Sequence, residues 1–421
     1  MERAYFLFGR NPRRRKLLNW LVHLTAVAVG LYSLGLVVFL AGLFRRPRRD
    51  GSRSSPSVSV VIAARNEQAH IGEVLSDLTR QTYPSGKYEV IVVNDGSSDR
   101  TEEIVTRFCE ASPNFHLLHA TSPPPGMAPK KYALETGVKS ACGEIILVTD
   151  ADCRVPPTWI QTIARHFDAE TGMVVGFSQI GAPGQHLSLF EGLQAIDFLL
   201  LMGAAAGSCQ VGYPLAGSGQ NLAYRKQAFL EVGGYRQVRH RVSGDDVLLL
   251  QLIRRQTSWR IRFAFEQGGR VVTQPQRTWR GLLNQRRRWA SNGVYQYVLN
   301  RPFFLYAMAT FAANALVLLG LPLGLLAGRP MPFLLAGLGK ILAEWFLALR
   351  AAHIFGRKDL LGYFPLWAVL QPLYVVVVGL GGTFGRFTWK GRTLGPSMSE
   401  DSRAREDAAL AEEGLRRGDL G

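Results

Sequence analysis

The chain has 421 residues, a formal net charge of +17 and four cysteines. It is long enough for a large core, while Cys109, Cys142, Cys153 and Cys209 lack metal-ligand spacing and the histidines form no HExxH-type cluster, which argues against zinc and for free thiols in a reducing compartment. The basic residues gather beside apolar stretches and in Arg286-Arg287-Arg288, fitting an anionic membrane surface near a phosphate site; without a single-strand stacking platform or groove-reading module, nucleic acid is disfavoured as a partner.

In chain order, Leu17 to Phe44 carries no charged side chain and is long enough to cross a bilayer. It is too long for a signal h-region, and arginines on both flanks leave its orientation open. Asp50 to Pro56 reads as a linker. Strands follow at Val58–Ala63, Glu89–Val93, Phe115–His119 and Glu144–Val148, separated by helical patterns at Ala69–Thr79, after a cap at Asp99, and at Ala128–Ala141. That alternation predicts an α/β layer of parallel βαβ units with right-handed crossovers. Leu187 to Met202, interrupted by Glu191 and Asp197, is short for a span and predicts an interfacial or partly buried helix. Asp245 to Arg254 predicts a compact helix, and the basic, Trp-bearing Trp279 to Tyr297 a helix on the headgroup surface. Three apolar stretches follow, Phe303–Leu326, Met331–Leu349 and Phe364–Thr383; Lys340 and Glu344, spaced i,i+4, are expected to pair and face protein. The expected organisation is a membrane helix with basic flanks (1–50), a soluble domain ending in an interfacial helix (57–300), about three C-terminal membrane segments (301–385) and a charged tail (386–421).

Strand ends carry the chemistry. Thr149-Asp150-Ala151-Asp152 closes the run Ile145–Val148 and precedes Pro156-Pro157, so its carboxylates sit where open α/β sheets bind ligands. Mg²⁺ typically takes one or two carboxylates plus substrate phosphates, although an Asp-rich stretch also suits a solvated turn. Ala64-Arg65-Asn66-Glu67 and Asn94-Asp95-Gly96-Ser97-Ser98-Asp99 end the first two strands and together read as one rim of a nucleotide pocket.

Val58–Glu67, Asn94–Thr101, Thr149–Asp152, Gly244-Asp245-Asp246 and Gln285-Arg286-Arg287-Arg288-Trp289 resemble, in order and spacing, the signature of membrane-bound family 2 glycosyltransferases. That group includes cellulose, hyaluronan and poly-N-acetylglucosamine synthases and ceramide glucosyltransferases. The resemblance covers about Val58 to Asn292. It implies a GT-A fold (Rossmann-like, mostly parallel) flanked by transmembrane helices, a nucleotide-sugar donor that is usually UDP-linked, Mg²⁺ or Mn²⁺, and inversion at the anomeric carbon. Asn66, Glu67, Asp95, Lys130 and Asp150 are the implied donor-binding residues, and Asp152 with Asp150 the implied metal ligands. Lys130 lies where the family has Gly-Lys-x-x-Ala-Leu, here with Pro129 in place of Gly.

Asp246 is the implied base and Asp245 its support, with helix capping a competing account that suits Asp245 better. Gln285, Arg288 and Trp289 are implied to serve the leaving group and acceptor, which leaves Arg286 and Arg287 to face phosphate headgroups. Leu215 to Asn221 resembles the glycine-bearing segment on the acceptor side.

One N-terminal and three C-terminal segments are a modest set of spans, and Thr388-Trp389-Lys390-Gly391-Arg392 resembles the ending of lipid-directed members. These features favour a lipid or lipid-linked hydroxyl acceptor over a glycan polymer, with the catalytic domain on the cytoplasmic side of a bacterial inner membrane. A processive polysaccharide synthase and an inactive transport or scaffold component are the alternatives. Donor sugar and oligomeric state are not legible.

Overall fold

The computed structural model describes residues 12–45, 55–120, 122–384, 387–389 and 392–394. In chain order its main elements are α1 (Pro12–Phe44), β1 (Val58–Ala64), α2 (Ile71–Thr79), β2 (Tyr88–Asn94), α3 (Thr101–Ala111), β3 (Phe115–His119), α4 (Pro129–Ser140), β4 (Ile145–Val148), α5 (Trp159–Ala164), β5 (Thr171–Gly176) and β6 (Ser178–Ile180). Then come α6 (Leu189–Gln210), β7 (Leu222–Arg225), α7 (Lys226–Glu231), α8 (Val247–Gln256), β8 (Arg260–Ala264), β9 (Val271–Thr273), α9 (Trp279–Leu299), α10 (Arg301–Leu326), α11 (Met331–Phe355) and α12 (Phe364–Phe384). A hairpin, β10 (Phe387–Trp389) with β11 (Arg392–Leu394), ends the described chain. Lys390, Gly391 and the tail expected from Pro396 lie outside the described residues. Two compact units result: a sheet unit drawing on residues 55–176 and 217–271 with the hairpin, and a helical unit drawing on 12–45, 177–216 and 272–383.

The sheet unit has seven strands in the order β3-β2-β1-β4-β7-β5-β8. The first four are mutually parallel, as the βαβ alternation predicts. β7 inserts antiparallel between β4 and β5, and β8 returns parallel to β5. Helices cover both faces of such a sheet, so its central strands read as unbroken apolar runs rather than alternating ones. Val60, Ile62, Val90, Val92 and Leu147 are accordingly buried with Leu75 of α2 and Trp159 of α5. Each such burial contributes about 1.5–3 kcal/mol. Ala64 of β1 lies level with Asn94 of β2, so the loops that follow these strands leave one edge of the sheet.

Among the described residues the helical unit contains five helices long and apolar enough to cross a membrane, within Arg15–Phe44, Leu189–Gln210, Arg301–Leu326, Met331–Phe355 and Lys358–Thr383. The second corrects the expected shortness of Leu187–Met202, while the helix is partly buried as expected. The helix runs 22 residues, reaching Gln210, because Gly203, Ala204, Ala205, Ala206 and Gly207 extend it beyond the large apolar residues. Those small residues allow close approach: a Cβ on Gly207 would meet the backbone of Phe39, and one on Gly42 the backbone of Gly207. Glu191 is absorbed by a capping box with Ser188. Lys340 and Glu344 pair as expected, 2.7 Å apart and both almost wholly buried, with Tyr32 donating to Glu344 and Lys340 to Gln371.

Candidate active site

The first two loops are stitched together by their own polar groups. Asn66 adopts the left-handed region at φ 52°, where Asn is tolerated better than most side chains. Its Oδ1 accepts from the Ser98 amide at 2.8 Å and its amide donates to Ser97 Oγ at 3.1 Å. The Glu67 amide donates to Thr101 Oγ1 at 2.8 Å. Asp99 accepts from the amides of Gln68 and Thr101, both at 3.0 Å, so it secures the start of α3 as its sequence position suggests. Asp95 is buried beside this clip; Arg65 donates to its carbonyl at 2.5 Å and lies 3.9 Å from its carboxylate.

The carboxylates of the later loops gather around one lysine. Pro129 occupies the first turn of α4, where its missing N–H is no loss, and Lys130 follows it. Lys130 Nζ stands 2.9 Å from Asp150 Oδ1 and 3.1 Å from Asp245 Oδ2. Two loops more than ninety residues apart in sequence thus share one cation. Burial alone would raise the Asp245 carboxyl, but Lys130 and Lys131 outweigh it and hold the group below the usual carboxylate range.

Asp246 lives in the opposite environment. It caps α8, its Oδ1 accepting from the Val247 amide at 2.6 Å and its Oδ2 from the Gly219 amide at 2.8 Å. Burial, then the negative charge of Asp245, push its carboxyl above the ordinary value. Capping therefore explains Asp246 and ion pairing explains Asp245, the reverse of the expected division, because the helix begins at Val247 rather than at Asp245. Gly219, within the glycine-bearing segment, matters through its smallness: a Cβ there would stand 3.3 Å from Asp245 Oδ2.

Lys131 is the residue that sequence reasoning missed. It is 1% exposed, and its Nζ donates to the carbonyls of Arg241 at 2.5 Å and Ser243 at 2.8 Å. It therefore pins the loop that delivers Asp245 and Asp246, and burial pulls its pKa down to about 7. The available signal was helical phase, since neighbours on a helix point about 100° apart and two adjacent lysines cannot serve the same face.

Among the described residues no three His, Cys, Asp or Glu side chains come together as a protein-only metal cage. Asp150 and Asp152, both partly buried at the end of β4, fit a divalent cation that takes its remaining ligands from phosphate oxygens and water.

Gln285, Arg288 and Trp289 belong to α9 in the helical unit. Within that unit Trp289 packs against Phe198 of α6, ring centroids 6.0 Å apart, and carries the Arg286 guanidinium over its ring at 4.3 Å. Arg286 is not turned to headgroups as expected. It is 3% exposed, 3.2 Å from Asp197 of α6, because Asp197 places a carboxylate inside the bundle that needs a counter-ion. One face of α9, with Leu282, Arg286, Asn292 and Gln296, is buried, while Trp279, Val294, Tyr297 and Val298 are exposed.

Comparison with known proteins agrees with this architecture. Residues 59–187 match Glycosyl transferase family 2, and residues 145–380 match Glycosyl transferase family group 2. A probable glycosyltransferase of Bacillus subtilis, YdaM, is 31% identical over 59% of this chain and 57% of its own. The beta-monoglucosyldiacylglycerol synthase of Trichormus variabilis is 29% identical over 67% of this chain and 58% of its own. The chain thus spans less than two thirds of either relative. The mannosyltransferase PcManGT of Pyrobaculum calidifontis, solved with GDP-Man and Mn²⁺, superposes with a TM-score of 0.63 over 87% of this chain and 99% of that one, at 19% identity. That likeness shows the GT-A fold.

Proposed function

The chain belongs to glycosyl transferase family 2, and we propose that it moves a sugar from a nucleotide-sugar, of the UDP type, to a hydroxyl of a lipid or lipid-linked acceptor at the cytoplasmic face of a bacterial inner membrane. Residues 57–300 are the proposed transferase segment. The observation that carries the reading is the contrast within Asp245-Asp246: one carboxylate is neutralised by Lys130 and the other is left with a raised pKa. A base working near neutral pH benefits from such a rise. The lipid preference draws on the named product of the Trichormus relative and on the five apolar helices.

In the proposed reaction the acceptor oxygen forms a bond to the anomeric carbon as the carbon–oxygen bond to the diphosphate breaks. The bond pair leaves with the nucleoside diphosphate, and the hydroxyl proton passes to Asp246. A single displacement inverts the anomeric carbon and needs no covalent nucleophile. The amides of Val247 and Gly219 fix the carboxylate while leaving each oxygen a second lone pair for the proton. Lys130 would meet the diphosphate as a point charge. Asp95, with the loop clip formed by Asn66 and Glu67, would receive the nucleoside. Asp150 and Asp152 would hold Mg²⁺ or Mn²⁺, which when bound offsets diphosphate charge. Gln285, Arg288 and Trp289 carry the leaving-group and acceptor roles their motif implies.

Purified protein given UDP-glucose, UDP-galactose or UDP-N-acetylglucosamine with total lipid extract should release UDP only when Mg²⁺ or Mn²⁺ is present, and should yield a single glycolipid. A long polymer would replace the lipid reading with a processive one. No UDP release with any donor would end the proposal.

A further inference from the structure

The turn that delivers the Gly219 amide to Asp246 is tied down by a side chain outside the reacting groups. Asn221, 1% exposed, closes that turn, its amide donating to the Ser218 carbonyl at 3.0 Å. Three separate segments of the sheet unit then converge on it. Trp159 of α5 donates through Nε1 to Asn221 Oδ1 at 3.0 Å, and Asn221 Nδ2 donates to the Gly269 carbonyl at 2.7 Å. The Asn221 carbonyl accepts from the amide of Gly176, at the end of β5, at 2.8 Å. An indole N–H only donates and a carbonyl only accepts, so the carboxamide has a single orientation here. A carboxylate in its place would lack the donor, an aliphatic side chain both senses, and buried groups left unpaired cost free energy. The seat is shaped for this side chain as well: a Cβ on Gly176 would stand 2.3 Å from Asn221 Cγ.

We propose that Asn221 is a positioning residue for the proposed base, holding the 218–221 turn in the one register that sets the Gly219 amide nitrogen 2.8 Å from Asp246 Oδ2. The inference rests on reading Asp246 as the base and adds what fixes that base in place. The other amide on the carboxylate belongs to Val247, which follows Asp246 in the chain and turns with it. Gly219 is 27 residues away in sequence, so its contact is the one that locates the carboxylate against the rest of the sheet unit. Gly219 has no side chain with which to anchor itself; its place is set by the turn, and the turn by Asn221. A hydrogen bond to the ionised form also lowers a carboxyl's proton affinity, here against burial and the charge of Asp245. Loosening the turn therefore has a definite sign: it pushes the Asp246 carboxyl further up.

Full-length protein would be titrated by difference infrared spectroscopy with no donor or acceptor present, the Asp246 carboxyl band being assigned by its loss in Asp246→Asn. Asn221→Ala should raise the midpoint of that band by about one pH unit, the scale of one lost hydrogen bond to a charged group. The acid limb of kcat/KM for sugar transfer should rise with it, whereas Asp245→Asn should move both down. Trp159→Phe, which removes one of the two side-chain anchors, should shift both upward by less, and it is the deciding variant if Asn221→Ala fails to fold. A lower Tm with an unmoved midpoint would overturn the proposal, showing Asn221 to be a packing residue only, and would leave the base reading standing. A raised midpoint with an unmoved acid limb would overturn the base reading and, with it, the place of Asn221 in the reaction.

Discussion

The helical unit and the carboxylate cluster of the sheet unit handle buried charge in opposite ways. In the helical unit each buried charge has a counter-charge: Lys340 with Glu344, Arg286 with Asp197, Arg357 with Asp359. Such pairs lower the cost of placing ions in an apolar bundle and leave little net charge to act on anything else. In the sheet unit Asp77 is matched by Arg80 and Arg154, but in the cluster around Lys130 the balance is uneven. Lys130 is shared between Asp150 and Asp245, Lys131 spends its donors on backbone carbonyls, and Asp246 has backbone amides for partners. Burial, and then the negative charge of Asp245, raise the proton affinity of Asp246. Balanced charge holds an assembly together; unbalanced charge at a sheet edge is what a reaction can use.

The comparison breaks most visibly at Asp246. Asp246→Asn keeps the size but only one of the two amide contacts, since its NH2 cannot accept, and it cannot take a proton; kcat should fall about 10³-fold, within the range for loss of a general base, while UDP affinity measured by calorimetry stays near the wild-type value. Wild-type-like turnover would remove Asp246 from the chemistry. The next effect belongs to Lys131. Lys131→Met frees the Arg241 and Ser243 carbonyls and loosens the loop, so kcat should drop about 10²-fold, in line with small misplacements of a reacting group. Lys131→Arg, which can still donate, should recover part of it. Equal losses in both variants would mean that bulk rather than the carbonyl clamp matters.

In the helical unit the expected loss is in stability. Arg357 is fully buried and donates to Gln179 Oε1, the carbonyls of Ile180 and Gly181, and Asp359. Arg357→Met should destabilise by about 3 kcal/mol, typical of breaking a buried pair, seen as a lower Tm. An unchanged Tm would show that this balanced charge is ornamental.

The βαβ half of the sheet was legible because strands buried on both faces announce themselves as apolar runs, as Val58–Ala64 does. The Lys340–Glu344 pair was legible because i,i+4 spacing places both on one helix face. The roles of Asp245 and Asp246 were not. Which of two adjacent carboxylates caps a helix depends on where the helix begins, and which is ion-paired depends on Lys130, far upstream in the chain. Asp197 and Arg286 failed for the same reason: each was readable as a surface charge until the other was placed beside it. The full length of α6 was hidden because small residues lower hydropathy without ending a helix.

The most direct test is the pH dependence of kcat/KM for sugar transfer, measured on wild type and on Asp245→Asn. The base must be deprotonated to act, so the rate should fall as pH drops through the Asp246 pKa. Burial and Asp245 raise that pKa, so the acid limb should lie above the ordinary carboxylate range. Removing the Asp245 charge takes away one of the two raising causes, and the limb should move to lower pH. An acid limb at an ordinary carboxylate value, unmoved by Asp245→Asn, would contradict the account.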